Sequence, residues 1–300
     1  MAVVEARHRA MASEVHVAVA GGPPDLTERA LARLDFLEQK WSRFIAGSDI
    51  DRLNHANGEW VDVEPSTTTL LEAMRRSWRI TGGLVDPTVL PSLMEAGYTA
   101  SIDDSGRVTD LPGGRLSGGG LASLEIDPAG RARLDGVLSV DPGCVGKGLA
   151  ADMVSEDLIR AGADAALVNV GGDLSMAGLA NPPWHIDVEH PVNPELTSLT
   201  LSMVAGGIAT SSTRTRTWEK DGVTRHHTID PRTGSPAETD VASVTTISDM
   251  AADAEAWATA AVIVGAGGAY EMLLAAGVDA IIGTTSGAVL LTPALIEQAS

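Results

Sequence analysis

The stretch Val140-Asp-Pro-Gly-Cys-Val-Gly-Lys-Gly148, with Val168-Asn-Val-Gly-Gly-Asp173 behind it, decides how this chain is read. An acid, three glycines and a lysine lead into a segment whose Leu149, Met153, Val154 and Leu158 fall at helical spacing. Gly162 ends that helix, as a residue able to take positive φ does. An apolar strand is expected from Ala165 to Val170, closing at Gly171-Gly172-Asp173. Glycines let a backbone approach a ligand closely, and a helix start offers free N–H groups to an anion. Lys147 adds a mobile positive charge. The unit is suited to hold a phosphate-bearing ligand. The competing reading is a glycine-rich turn between strand and helix, because the pattern matches neither the P-loop nor the dinucleotide fingerprint.

Outward from this unit the chain alternates irregularly between strand and helix patterns. Val15 to Ala20 alternates as a strand. Asp25 can cap a helix, with Glu28 as its capping-box partner and Leu31, Leu34, Leu37 and Trp41 at helical spacing. Residues 42–54 read as a loop with a short turn, and Trp60 to Val63 as a short strand. Ser66 opens a second helix, with Leu70, Leu71, Met74 and Trp78 inside and Gly82-Gly83 at its end. Asp86-Pro87-Thr88 turns into the segment Leu90 to Ala96. Residues 100–120, rich in Gly, Ser and Asp, predict an exposed loop, and Leu124 to Val140 a β-meander. Further strands are expected at Trp184 to Val188, Leu199 to Val204, Arg225 to Ile229 and Val241 to Ile247. Helices are expected at Ala252 to Val264 and Tyr270 to Ala276, and closing strands at 280–283 and 289–291. The pattern predicts an α+β fold, with mixed sheets and flanking helices in a single compact domain over residues 1–300 and a short flexible N-terminus, 1–8.

Composition narrows the function. A hydrophobic fraction of 44% supports a real core, while aromatics at 3% leave Ala, Val, Leu and Ile to fill it. A net charge of −19 argues against nucleic acid or an anionic membrane as partner, since both repel an acidic surface. A small anion can still bind a locally basic pocket. The single cysteine, Cys144, excludes a disulfide within the chain. Cys144 is either a catalytic thiol or a small buried residue in a tight turn. The N-terminus has no long apolar run, no lipid-attachment cysteine lies near it, and no apolar stretch is expected to reach the ~20 residues of a membrane span. A soluble, cytoplasmic protein is expected.

A second polar constellation lies at His227-Thr-Ile-Asp-Pro-Arg-Thr-Gly234. Asp230-Pro231 with Thr233-Gly234 is a good turn. His227 and Asp230 are also candidates for chemistry. Upstream, Thr210-Ser-Ser-Thr-Arg-Thr-Arg216 gathers hydroxyls and two arginines, suited either to phosphate or ribose or to an exposed hairpin. Between Ala252 and Val264, Glu255 and Thr259 are spaced to share a helix face. Acids there are usually solvated. One carboxylate, one hydroxyl and a backbone carbonyl also suit Mg²⁺ on a diphosphate.

Taken in order, these segments resemble the FAD:protein FMN transferases, the ApbE-type family. The likeness runs from Arg9 to Ala276. It includes Met11-Ala-Ser13, Trp41-Ser-Arg-Phe44, Gly47-Ser-Asp-Ile-Asp-Arg-Leu-Asn54 and Thr81-Gly-Gly-Leu-Val-Asp-Pro-Thr-Val89. The two stretches quoted first continue it. Ala209-Thr-Ser-Ser212, the His227–Gly234 segment and Ala254-Glu-Ala-Trp-Ala-Thr259 close it.

The resemblance implies Mg²⁺-dependent transfer of FMN from FAD to a Thr or Ser hydroxyl of an acceptor protein, with release of AMP. The alternatives within this likeness are an FAD pyrophosphatase and a non-catalytic FAD-binding protein. It implies FAD contacts from Met11, Phe44, Leu84, Val85, Asp86, Asp141, Lys147 and Ile229, with close backbone approach at Gly171 and Gly172. It implies metal ligation by the Cys144 backbone carbonyl, the Glu255 carboxylate and the Thr259 hydroxyl. His227, whose type titrates near neutrality, is the candidate to take the proton of the attacking hydroxyl. The chain departs from the family pattern at Glu255, usually Asp, and at Ala258, Ser212, Ala12 and Val85.

Overall fold

The structure, a computed structural model, describes residues 2–299, with side chains through Ile296. Its helices are α1 (Leu26–Trp41), α2 (Asp49–His55), α3 (Pro65–Ile80), α4 (Leu90–Glu95), α5 (Gly146–Arg160), α6 (Ala251–Ala276) and α7 (Pro293–Ala299). Its main strands are β1 (Val3–Ala10), β2 (Ser13–Ala20), β3 (Ala165–Val170), β4 (Asp173–Gly178), β5 (Gly206–Ser212), β6 (Val241–Ser248), β7 (Asp279–Thr284) and β8 (Val289–Leu291). The chain forms two compact units. One holds the chain up to Leu34, Lys147–Arg214 and everything from Glu238 onward. The other holds Asp35–Gly146 and Thr215–Ala237.

The first unit is built on one eight-stranded sheet. Each strand lies beside its neighbour in the series and every pair is antiparallel. The fold is therefore α+β, as expected, with no parallel crossover in this sheet. Alternation along the strands sends successive side chains to opposite faces. Ala280 and Ile282 of β7 pack with Val262, Ala266 and Leu273 of α6. Ile281 between them packs on the other face, with Val188 and Leu201 of the hairpin Trp184–Glu189/Thr197–Met203 and with Leu295 of α7.

The start of α6 is fixed by three neighbours. Its N-cap residue, Met250, supplies no capping side chain. Instead Asp152 of α5 accepts the N–H groups of Ala251 at 2.9 Å and Ala252 at 3.0 Å. A Cβ on Gly148 of α5 would lie 2.5 Å from the Ala251 carbonyl oxygen, and one on Gly207 of β5 would lie 2.1 Å from the Ala251 nitrogen. Glycine at both positions is what lets α5, β5 and α6 approach backbone to backbone.

Several expectations change in detail. Residues 3–8, expected as flexible, belong to edge strand β1 in full register with β2. Thr210 to Ser212, read as a ligand cluster or a hairpin, lie in β5, inside the sheet. Thr210 bonds the Thr245 hydroxyl, Ser212 donates to the Ala242 carbonyl, and Arg214 donates to the Pro191 carbonyl. The two helices expected after residue 251 merge into α6, broken at Gly265, where φ is +80°. Asp240 accepts the Ala266 N–H at 2.8 Å and so caps the second segment. By length and composition alone α6 is apolar enough to cross a membrane, although Asp253, Glu255 and Glu271 interrupt its apolar run. Its apolar side chains pack on the sheet core.

The second unit is looser in secondary structure and is held by polar anchors. Of the expected β-meander, only Glu125–Ile126 and Arg131–Arg133 form strands, with Val61–Asp62 at the edge. Asp49, 1% exposed, accepts from the Glu64 N–H and the Thr67 hydroxyl. Asn54 exchanges two hydrogen bonds with the backbone of Val140, at 2.9 and 2.7 Å. The segment 100–120 is mostly exposed, as expected, with Thr109 and Gly120 buried within it.

Burial pushes the Asp152 carboxyl up to about 6, and the two N–H bonds from α6 only partly offset it. A raised folded pKa contributes stability that is complete below the unfolded value and lost as pH rises through the folded one. The gap in unfolding free energy between the protein and Asp152→Ala should widen by up to about 3 kcal/mol on going from about pH 7 to about pH 4. Urea melts at the two pH values test this. A gap that narrows would mean that the N–H bonds outweigh burial.

Candidate active site

In the first unit, two tight turns and two helix starts converge on one group of charges. Gly171 and Gly172, both with positive φ, form the two-residue turn between β3 and β4. Met11 and Ala12 do the same between β1 and β2, at φ 52° and 53°. Left-handed backbone at two non-glycine residues is strained, and it sets Met11 at the tip of the hairpin. The turns are neighbours: the Gly171 N–H donates to the Glu14 carbonyl, and a Cβ on Gly171 would meet the Ser13 hydroxyl at 2.5 Å.

Asp173 follows the glycine turn directly and is 2% exposed. Its carboxylate accepts from the Lys147 ammonium. The same ammonium donates to Glu255 Oε1 at 2.6 Å, and Glu255 Oε2 accepts the Gly148 N–H at 2.9 Å. Glu255 too is 2% exposed. Two buried carboxylates thus share one ammonium. Burial pushes the Asp173 carboxyl up, the charge of Glu255 adds to this, and Lys147 opposes it. Thr259, one helical turn beyond Glu255, lies with its hydroxyl 3.2 Å from that of Ser211 on β5.

In the second unit, the expected residues gather around Asp141 and a small aromatic cluster. The Asp141 N–H donates to the Pro87 carbonyl at 2.9 Å, which ties the 141–144 turn to the 86–89 turn. Asp141 Oδ1 caps the short turn Pro142–Cys144 through the Gly143 N–H. Its Oδ2 accepts from Arg43 Nε at 3.2 Å. Arg43, 3% exposed, also donates to the Tyr98 carbonyl and the Thr109 hydroxyl. Its guanidinium lies 3.9 Å from the centroid of the Phe44 ring. Tyr98 stacks on Trp218, with centroids 5.3 Å apart, and meets Phe44 edge-on. Burial raises the Tyr98 hydroxyl above its ordinary value. Ile229 packs into this same cluster, so Phe44 and Ile229 are brought together.

The other expected residues take more structural positions. Asp86 accepts from the Thr88 N–H and hydroxyl and from the Gly120 N–H, so its carboxylate is spent on holding its own turn. Val85 is 1% exposed, and its N–H donates to the Thr81 hydroxyl. Leu84 beside it is half-buried. Cys144 ends the tight turn and is half-buried, so the turn reading holds where full burial does not. His227 is half-buried and lies just past the strand Val223–His226. His226 faces the Ala237 carbonyl at 3.0 Å, and burial lowers its pKa. Asp230 is claimed by Arg232 in a bidentate pair, which lowers its pKa and leaves it a turn residue.

Arg43, Asp173 and Asp152 escaped the sequence reading as separate actors. All three lie inside or beside the quoted motifs, but a buried charge and a surface charge look alike in sequence.

Comparison with known proteins agrees with this architecture. The chain matches the ApbE family over residues 11–282. It belongs to that family. A FAD:protein FMN transferase of Salmonella typhimurium is 30% identical over 269 residues, spanning 83% of this chain and 74% of that protein. The crystal structure of the ApbE protein from Thermotoga maritima superposes with a TM-score of 0.84 at 26% identity, covering 99% of both chains. That of the flavinyl transferase ApbE of Pseudomonas stutzeri, in its apo form, gives 0.82 at 25% identity over 99% of this chain and 96% of that one.

The Arg43 guanidinium uses its fork to reach three acceptors at once, which a lysine ammonium cannot copy. Arg43→Lys should cost roughly 2 kcal/mol or more of stability and should speed amide exchange between Thr99 and Thr109. Hydrogen exchange read by mass spectrometry gives the answer. Unchanged protection there would remove Arg43 as the anchor of that segment.

Proposed function

We propose that this ApbE-family protein is an FAD:protein FMN transferase that moves FMN from FAD to a Ser or Thr hydroxyl of an acceptor protein, releases AMP and uses Mg²⁺. The observation that carries this reading is the Lys147–Asp173–Glu255 group: two buried carboxylates and one ammonium beside a glycine turn. The family match and the names of the relatives support the same activity.

The donor set suits a hard cation. Glu255 and Thr259 offer only oxygen, one helical turn apart on α6. Among the described residues no three His, Cys, Asp or Glu side chains form a metal cluster, which fits an ion that keeps waters and takes the rest of its ligands from phosphate. Glu255 and Thr259 would hold Mg²⁺. The Cys144 carbonyl, which the family likeness adds, belongs to the other unit. The chemistry supplied by Mg²⁺ there is neutralisation of charge on the diphosphate and on the AMP leaving group.

The remaining steps fall to the chain's own residues. In the reaction the acceptor oxygen forms a bond to the FMN-side phosphorus while the bond to the AMP oxygen breaks. Lys147 binds the diphosphate as a second cation. Gly171 and Gly172 admit it close to the backbone. Phe44 and Ile229 offer an apolar contact to the flavin, and Arg43 fixes Asp141 for a polar one. His227 accepts the proton of the attacking hydroxyl.

Incubation with FAD, Mg²⁺ and an acceptor protein should give an acceptor mass gain of one FMN and an equal amount of AMP. AMP with free FMN, and no gain in acceptor mass, would assign hydrolysis instead. Glu255→Ala should lower Mg²⁺-dependent AMP release by about 100-fold or more while FAD binding without Mg²⁺, followed by flavin fluorescence, changes little. His227→Ala should slow transfer by about 100-fold or more at nearly unchanged FAD affinity. Equal losses of both would make His227 a binding residue.

A further inference from the structure

We infer that the Lys147 ammonium and a divalent cation are alternative partners of Glu255, so that Lys147 keeps the metal position closed until a diphosphate draws its ammonium away. This rests on the Mg²⁺-dependent flavin-transfer reading and deepens it, since it assigns an order to the binding events.

The geometry is specific. Glu255 uses both oxygens: Oε2 is held by the Gly148 N–H at 2.9 Å, and Oε1 by the Lys147 ammonium at 2.6 Å. A cation added at Oε1 meets an ammonium already there, in a site screened from water, so like charges repel strongly. Asp173 holds the same ammonium from the other side, so Lys147 does not simply drift off. The Lys147 side chain is 17% exposed, against 2% for Asp173 and 3% for Glu255. An incoming anion therefore reaches the ammonium before it reaches either carboxylate. The lysine stem is long and flexible, whereas Glu255 is fixed to α5 by the Gly148 bond.

A diphosphate that takes over the ammonium leaves Glu255 Oε1 uncompensated in a buried setting, and a divalent cation then satisfies it. Binding of diphosphate and of metal become mutually reinforcing, by linkage. A second consequence is that metal in the absence of flavin binds weakly.

The test uses Mn²⁺ as the probe, with free Mn²⁺ read by its electron paramagnetic resonance signal and no FAD present. Lys147→Met should bind Mn²⁺ about tenfold or more tightly than the unmodified protein. The double variant Lys147→Met/Asp173→Asn should keep that gain, and adding Glu255→Ala to Lys147→Met should remove it. Lys147→Arg keeps the charge but grips carboxylates bidentately, so it should bind Mn²⁺ several-fold more weakly than the unmodified protein. Lys147→Arg also serves if Lys147→Met, with two uncompensated carboxylates, fails to fold. Equal Mn²⁺ affinity in the unmodified protein and in Lys147→Arg or Lys147→Met overturns the competition alone. A gain that vanishes with Asp173→Asn overturns it as well, by assigning the ion to the carboxylate pair. Absence of Mn²⁺ binding in every variant, with FAD then added, overturns the metal reading itself.

Discussion

The carboxylate of Asp152 accepts the first two N–H groups of α6, and much of the first unit depends on that contact. A helix start leaves N–H groups without partners, and burying them unsatisfied is costly. Here the partner comes from α5 rather than from the residue before the helix. Gly148 and Gly207 remove the side chains that would otherwise hold α5 and β5 away from Ala251. The result is a fixed distance between two helix starts. Lys147 sits at one start and Glu255 just inside the other, so the charged group is positioned by backbone contacts.

That placement explains why the group tolerates burial. A lone buried carboxylate takes up a proton; two of them side by side do so more readily. One ammonium between Asp173 and Glu255, together with the Gly148 N–H, keeps the pair partly compensated. The group still carries one uncompensated negative charge when fully ionised. Such a group is poised for a further cation only when its own cation is engaged elsewhere.

Much of this was legible in sequence, for identifiable reasons. Helical spacing of Leu34, Leu37 and Trp41 or of Leu70, Leu71 and Met74 found α1 and α3, because those side chains are buried on one face. The glycine pair 171–172 marked a turn, because both positions have positive φ. Strand β1 was missed because it lies at an edge: its mostly exposed, charged face gives no apolar alternation to read. Strand β5 was missed for the opposite reason. Its Thr and Ser hydroxyls look polar but are spent on sheet neighbours. The Asp230 turn looked chemical until Arg232, two residues on, claimed its carboxylate. The group around Lys147 needed three distant segments to meet, and spacing in one chain does not encode that.

Glu255 is the most informative departure from the family pattern. Where an aspartate is usual, this chain places a side chain longer by one methylene. The extra reach has a visible use. Glu255 projects from α6, yet its Oε2 meets a backbone N–H of α5 while its Oε1 meets Lys147. A shorter carboxylate on the same helix turn would sit nearer its own backbone and would have to give up one of these partners or draw the helices closer. The helices already meet backbone to backbone, since a Cβ on Gly148 would lie only 2.5 Å from the Ala251 carbonyl oxygen. The longer acid and the glycine therefore belong together: one spans the gap between α6 and Lys147, and the other sets how narrow that gap is.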